Sequence, residues 1–116
     1  MNDLPHSGLT ERVAELKKRT PDLRAEVLFY ALEDGGRKTP VPSGIGFPCK
    51  LTQESSVAND AAVIFDRNWV DPGNTAIADF YFLLGEEAAG KFRSAGKFYL
   101  WEAGIVAEAI VLRIEE

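Results

Sequence analysis

The run Asp34-Gly35-Gly36-Arg37-Lys38-Thr39-Pro40 is the part of the chain best suited to gripping a ligand. Glycines let a backbone approach closely, and an arginine offers a planar fork of donors to a phosphate or carboxylate. The same run also reads as an ordinary turn, with the glycines supplying positive backbone angles and Arg37 in solvent. Carboxylates are plentiful, yet no partner motif singles out two of them as an acid–base pair. Asp79 and Glu108 lie inside apolar runs, where each must face solvent or be paired. Ser43 and Ser94 have only His6 as a base, which makes a serine triad a poor fit. Cys49 and His6 are the sole cysteine and histidine, too few for a four-ligand zinc site. No Gly-x-x-x-x-Gly-Lys-Ser/Thr run is present to cradle nucleotide phosphates. These residues favour binding over catalysis, with neither cofactor nor metal.

The elements that must position these groups follow from periodicity. Residues 1–7 carry Pro5 and no apolar pattern, and read as a loose terminus. Leu9, Val13 and Leu16 fall on one face of a helix predicted over 8–19, with Glu11 and Glu15 early, Lys17, Lys18 and Arg19 late, and Pro21 beyond. Three apolar contacts are too few to hold such a helix unless it docks. From Arg24 the pattern turns to strands: 25–32, 47–53, 61–65, 76–84, 97–101 and 105–114. Along 76–84, Ala78, Phe80 and Phe82 share one face, and Ile77, Asp79 and Tyr81 the other. Both faces are largely apolar, so the N-terminal helix is a candidate cover for one of them. Residues 40–48, with three prolines and two glycines, bend the chain, and Val70-Asp71-Pro72-Gly73-Asn74 is a turn. Residues 85–96 read as a connection with at most one helical turn, and Glu86-Glu87 as solvated loop. Six short strands with turns between them predict one all-β domain over 8–116, a closed barrel or sandwich, with one short N-terminal α-helix.

Composition narrows the function classes. Of 116 residues, 46% are apolar and 27% charged, the balance of a globular domain with one core. Apolar runs are far shorter than the roughly 20 residues of a membrane span. A lone cysteine and the lack of a leader-like start point to the cytoplasm. A net charge of −5 disfavours non-specific nucleic-acid binding unless the basic residues cluster. Arg37 and Lys38 with Lys17, Lys18, Arg19, Lys91, Arg93 and Lys97 are the residues that would have to converge in such a patch.

Three ordered blocks resemble one family. A strand leads into Glu33-Asp34-Gly35-Gly36-Arg37-Lys38-Thr39-Pro40 and Ser43-Gly44. Val70-Asp71-Pro72-Gly73-Asn74 follows, then Lys97-Phe98-Tyr99-Leu100-Trp101-Glu102-Ala103-Gly104 and an apolar strand over 110–114. Over residues 24–115 this is similar to the C-terminal (third) β-barrel domain of bacterial elongation factor Tu. The resemblance implies a six-stranded antiparallel closed barrel and a translation-linked, non-catalytic binding module. It marks Gly35, Gly36, Arg37, Lys38, Thr39, Lys97, Glu102 and Gly104 as binding residues, with a protein or aminoacyl-tRNA as partner. Two arginines of the family pattern are missing, after Ser43-Gly44 and after Gly104, which lowers the phosphate-binding capacity and favours a protein. A decoy or immunity-type protein mimicking the barrel is a second reading. A small-molecule binder or enzyme built on residues 35–46 is a third.

Overall fold

The computed structural model describes residues 7–112. In chain order the elements are α1 (Ser7–Leu16), β1 (Leu23–Phe29), a 3-10 turn (Leu32–Asp34), β2 (Val41–Pro42), β3 (Gly46–Lys50), β4 (Asn59–Phe65), β5 (Trp69–Val70), β6 (Thr75–Phe82), α2 (Glu86–Ala95), β7 (Lys97–Trp101) and β8 (Ile105–Val111). Six strands close into a barrel in the order β1-β6-β4-β3-β7-β8, and β8 returns to pair with β1. Every pairing is antiparallel. The short strands β2 and β5 form a separate two-stranded ribbon. The predicted all-β barrel is therefore the observed fold, and closure leaves its strands no free edge.

Alternation explains the walls. β1 buries every second residue: Leu23, Ala25, Val27 and Phe29 point inward, and Arg24, Glu26 and Leu28 outward. β6 does the same with Ala76, Ala78, Phe80 and Phe82. The odd carboxylates sit on the outside and are paired. Arg24 Nε donates to Asp79 Oδ1 at 2.7 Å. The Tyr30 hydroxyl donates to Glu108 Oε1 at 3.0 Å, and Lys97 Nζ lies 4.0 Å from Glu108 Oε2. β4 breaks the alternation, with five successive residues buried. Its outer residues Ala62 and Ile64, together with Tyr81, form a small cluster against which Val13 and Leu16 of α1 pack. The N-terminal helix is thus the cover expected for one face of β6.

Two aromatic groups fill opposite ends of the barrel. Phe29 contacts Phe47 and Phe65 at one end, with ring centroids 6.0 and 5.7 Å apart. At the other, Phe80, Phe82, Phe92 and Phe98 are mutually stacked or edge-on at 4.9 to 6.3 Å.

Several boundaries differ from the sequence reading. Residues 85–96 are not a connection: α2 is a ten-residue helix that buries Ala88, Ala89 and Phe92 and plugs the barrel end. Its apolar residues fall at i, i+1 and i+4, and Glu86 and Glu87 occupy the first turn, where the helix dipole favours acids. Glu86 is solvated as expected, but on a helix and ion-paired with Arg93. α1 ends three residues earlier than 19. Arg19 N–H bonds to Leu16 C=O at 2.8 Å in an i→i−3 turn, so Lys17, Lys18 and Arg19 lie past the helix. The chain before Pro21 tightens because a proline disfavours helical geometry at the residue preceding it. β1 stops at Phe29 instead of 32, β3 at Lys50 instead of 53, and β6 at Phe82 instead of 84. Residues 1–6 of the predicted loose terminus, His6 among them, and Ile114 lie outside the described residues, whereas Ser7 begins α1.

The barrel exterior carries one sharp pH signature. The Tyr30 phenol is pushed up from 10 to about 12, first by burial, then by its hydrogen bond to Glu108 and that carboxylate's charge. The folded state holds this proton more tightly than the unfolded chain. The associated stability is full below pH 10 and is lost as pH rises toward about 12. Ultraviolet tyrosinate titration should show Tyr30 ionising at about 12 beside a raised Tyr81, and Glu108→Gln should lower Tyr30 only part of the way, since burial is the larger cause. A Tyr30 phenol unchanged in that variant would disprove the coupling.

Candidate functional site

The loop after β1 folds back over the Phe29 end of the barrel. Tyr30 N–H bonds to Val106 C=O at 3.0 Å, and Gly36 N–H to Ala31 C=O at 2.9 Å. Gly35 has φ of +95° and closes the 3-10 turn, its N–H bonding to Leu32 C=O. Gly36 is required for a different reason. A Cβ there would lie 1.9 Å from the Tyr30 carbonyl oxygen. The close approach it permits is to the chain's own backbone.

That tight fold sets Arg37 against the β7–β8 turn. Its side chain is only 16% exposed, and Nε lies 3.5 Å from Glu102 Oε1. Nη2 donates to Thr39 Oγ1 at 3.4 Å. Nη1 is buried with no hydrogen-bond partner. Glu102 is held by the turn itself, where its N–H bonds to Gly104 C=O at 2.7 Å. Between them Ala103 takes φ of 55°, a left-handed conformation that costs a residue with a Cβ about 1–2 kcal/mol. Arg37, Thr39, Glu102 and Gly104 thus meet at one end of the barrel, while Lys38 is exposed beside them. Lys97 does not join them. It begins β7, so roughly five strand residues at about 3.3 Å each separate it from Glu102. There it lies near Glu108 and over the Tyr99 ring at 5.7 Å.

The basic residues do not form one patch. Lys18 pairs with Glu15 at 3.6 Å. Arg93 Nη1 donates to the Asp22 carbonyl at 2.7 Å, at the α2 end. Lys17 and Arg37 do share a feature, an open groove of about 960 Å³ beside α1. Val13 of α1 and Lys17 just past its end line one side of it. Residues from Arg37 to Ile45 line another, and Phe65 to Trp69 complete it. Within it Arg67 Nε lies 3.0 Å from Asp66 Oδ1, and that hydrogen bond holds the Asp66 carboxyl below its ordinary range. A smaller cleft of about 490 Å³ on the other flank of α1 is lined by Arg12, Leu16, Arg19, Asp60, Tyr81 and Leu83.

Sequence reasoning did not reach Arg67, Asn68 or Trp69 as site residues. The available signal was Trp69 itself, a large aromatic next to a turn, which the structure leaves 56% exposed. Phe98 is core, as strand spacing implied, and Cys49 is fully buried, where desolvation pushes its thiol up and leaves it a packed residue. Among the described residues, no cluster of His, Cys, Asp or Glu is placed to hold a metal ion, and no helix is long and apolar enough to cross a membrane. No protein-family model matches the chain, and no curated protein matches it.

Proposed function

We propose that the protein is a non-catalytic binding module of the kind its resemblance to the elongation factor Tu C-terminal barrel implies. Its working surface is the barrel end formed by residues 30–40 and the β7–β8 turn, and its partner is a protein. One observation carries this reading: the candidate cations face carboxylates. Arg37 lies 3.5 Å from Glu102 and Lys97 lies 4.0 Å from Glu108. A surface whose most buried cation already faces a carboxylate offers phosphates little beyond the exposed Lys38, whereas mixed charge beside apolar side chains suits a protein interface. Leu32, which opens the 3-10 turn after β1, is 54% exposed and supplies such an apolar anchor. Arginine and tryptophan, the residue types that dominate binding energy at interfaces, both occur here as Arg37 and Trp101, which is 38% exposed at the end of β7.

Aminoacyl-tRNA is the alternative partner, and an amide NMR titration separates the two. At low salt, aminoacyl-tRNA should leave the signals of residues 35–39 and 97–104 unmoved. Salt-sensitive shifts at both stretches would make the module an RNA binder instead, since each phosphate contact steepens the salt dependence.

A further inference from the structure

We propose that the protein forms a two-fold symmetric dimer through the β6–α2 turn and the cleft beside it. The inference goes beyond the protein-partner reading above, because it concerns the opposite end of the barrel and a second copy of this chain. Three observations converge on it.

The first is the turn. Gly85 N–H bonds to Phe82 C=O at 3.0 Å, so Leu83 and Leu84 are the two central residues of a tight turn. Such positions ordinarily carry glycine, proline or small polar residues. Here two leucines stand 80% and 56% exposed. They are held outward, because Leu83 N–H also bonds to Asp60 C=O at 2.9 Å and α2 begins at Glu86. A fixed apolar projection of this kind marks a contact surface.

The second is a hollow on the same surface. Leu83 forms one wall of the cleft of about 490 Å³, which Leu16 and Tyr81 also line. A projection beside a hollow is self-complementary: under two-fold symmetry each copy's projection enters the other's hollow.

The third is charge, which divides across the patch. On the cleft side stand Arg12 and Arg19, both exposed, against one carboxylate, Asp60. Neither arginine takes part in a salt bridge among the described residues. Arg19 is positioned there by the Tyr81 ring, whose centroid lies 5.8 Å from its guanidinium carbon. Beyond the leucines, α2 opens with Glu86 and Glu87. Arg93 engages Glu86, whereas Glu87 is exposed and pairs with no cation among the described residues. A two-fold axis through the leucines brings Glu87 of each copy to the Arg12–Arg19 side of the other. Projection with hollow and acid with cation are thus two complementary pairs that a second copy supplies by itself.

Sedimentation equilibrium of the full chain over a concentration series tests the proposal. The wild type should fit a monomer–dimer equilibrium with no larger species, as a closed two-fold contact requires. Leu84→Asp, at an exposed position that the fold does not need, should weaken the dimer about a hundredfold or more, since symmetry counts each lost contact twice. Arg19→Glu and Glu87→Arg should each weaken it about tenfold. An equimolar mixture of those two variants should restore it, because every like-charged contact then becomes an opposite one. Four results would overturn the proposal: a wild type that stays monomeric, which leaves the turn to another protein or a lipid surface; growth beyond a dimer; a dimer untouched by Leu84→Asp; or a mixture no tighter than its components. None of those outcomes touches the protein-partner reading, which rests on the Glu102 end.

Discussion

Phe98→Ala is expected to destabilise the protein by about 3–5 kcal/mol, the range for deleting a fully buried phenylalanine ring. Phe98 has no exposed surface. Its ring meets Phe80 edge-on at 5.1 Å and Phe92 edge-on at 5.1 Å. It therefore joins the barrel wall to the helix that plugs the barrel. The cost should combine lost burial with a cavity that rigid strands cannot collapse around. Chemical denaturation monitored by near-ultraviolet circular dichroism measures it. A loss under about 1 kcal/mol would mean that α2 repacks into the gap, and that the aromatic cluster is less fixed than its geometry implies.

The second large effect is expected at Gly36, and it inverts the usual ranking of glycines. Gly35 has the left-handed backbone, at φ of +95°, but open space where a Cβ would go. Gly35→Ala should cost only about 1–2 kcal/mol, the conformational term. Gly36→Ala would drive a Cβ to 1.9 Å from the Tyr30 carbonyl oxygen and 2.6 Å from its carbon. Backbone must move, so the cost should reach about 3 kcal/mol or more, at the upper end of overpacking. The displaced loop carries Arg37, so the Arg37–Glu102 contact should be lost as well. Paired unfolding curves for the two variants decide the matter. Equal costs would mean that the loop yields easily and does not fix Arg37.

These two positions also show what was legible in the sequence. The inward face of β6 was readable as alternation through Ala78, Phe80 and Phe82, because one face of a strand meets the core. Asp79 and Glu108 were readable as needing either solvent or partners, and they have partners. β4 was harder. Its outer face is buried only because α1 docks there, a fact set by tertiary packing and not by β4's own residues. α2 was missed because Gly90 interrupts it and Phe92 is its only large apolar residue, which leaves little helical periodicity to read. What stabilises it is Phe92 against Phe82 and Phe98, contacts that exist only after the barrel forms. Likewise, Gly35, Gly36 and Arg37 stood out as a group. Whether the glycines served a ligand or their own turn was open until Gly36 was seen against Tyr30. The groove draws on three separated stretches of chain, so no local pattern announces it.

The central claim is that the Arg37–Glu102 end of the barrel meets a protein. A photo-crosslinking residue in place of Lys38, which is exposed beside Arg37, tests it most directly in the native cells. One discrete protein adduct is expected, and it should disappear when Glu102→Arg reverses the charge of the neighbouring turn. An adduct to RNA alone, or no adduct at all, would contradict it.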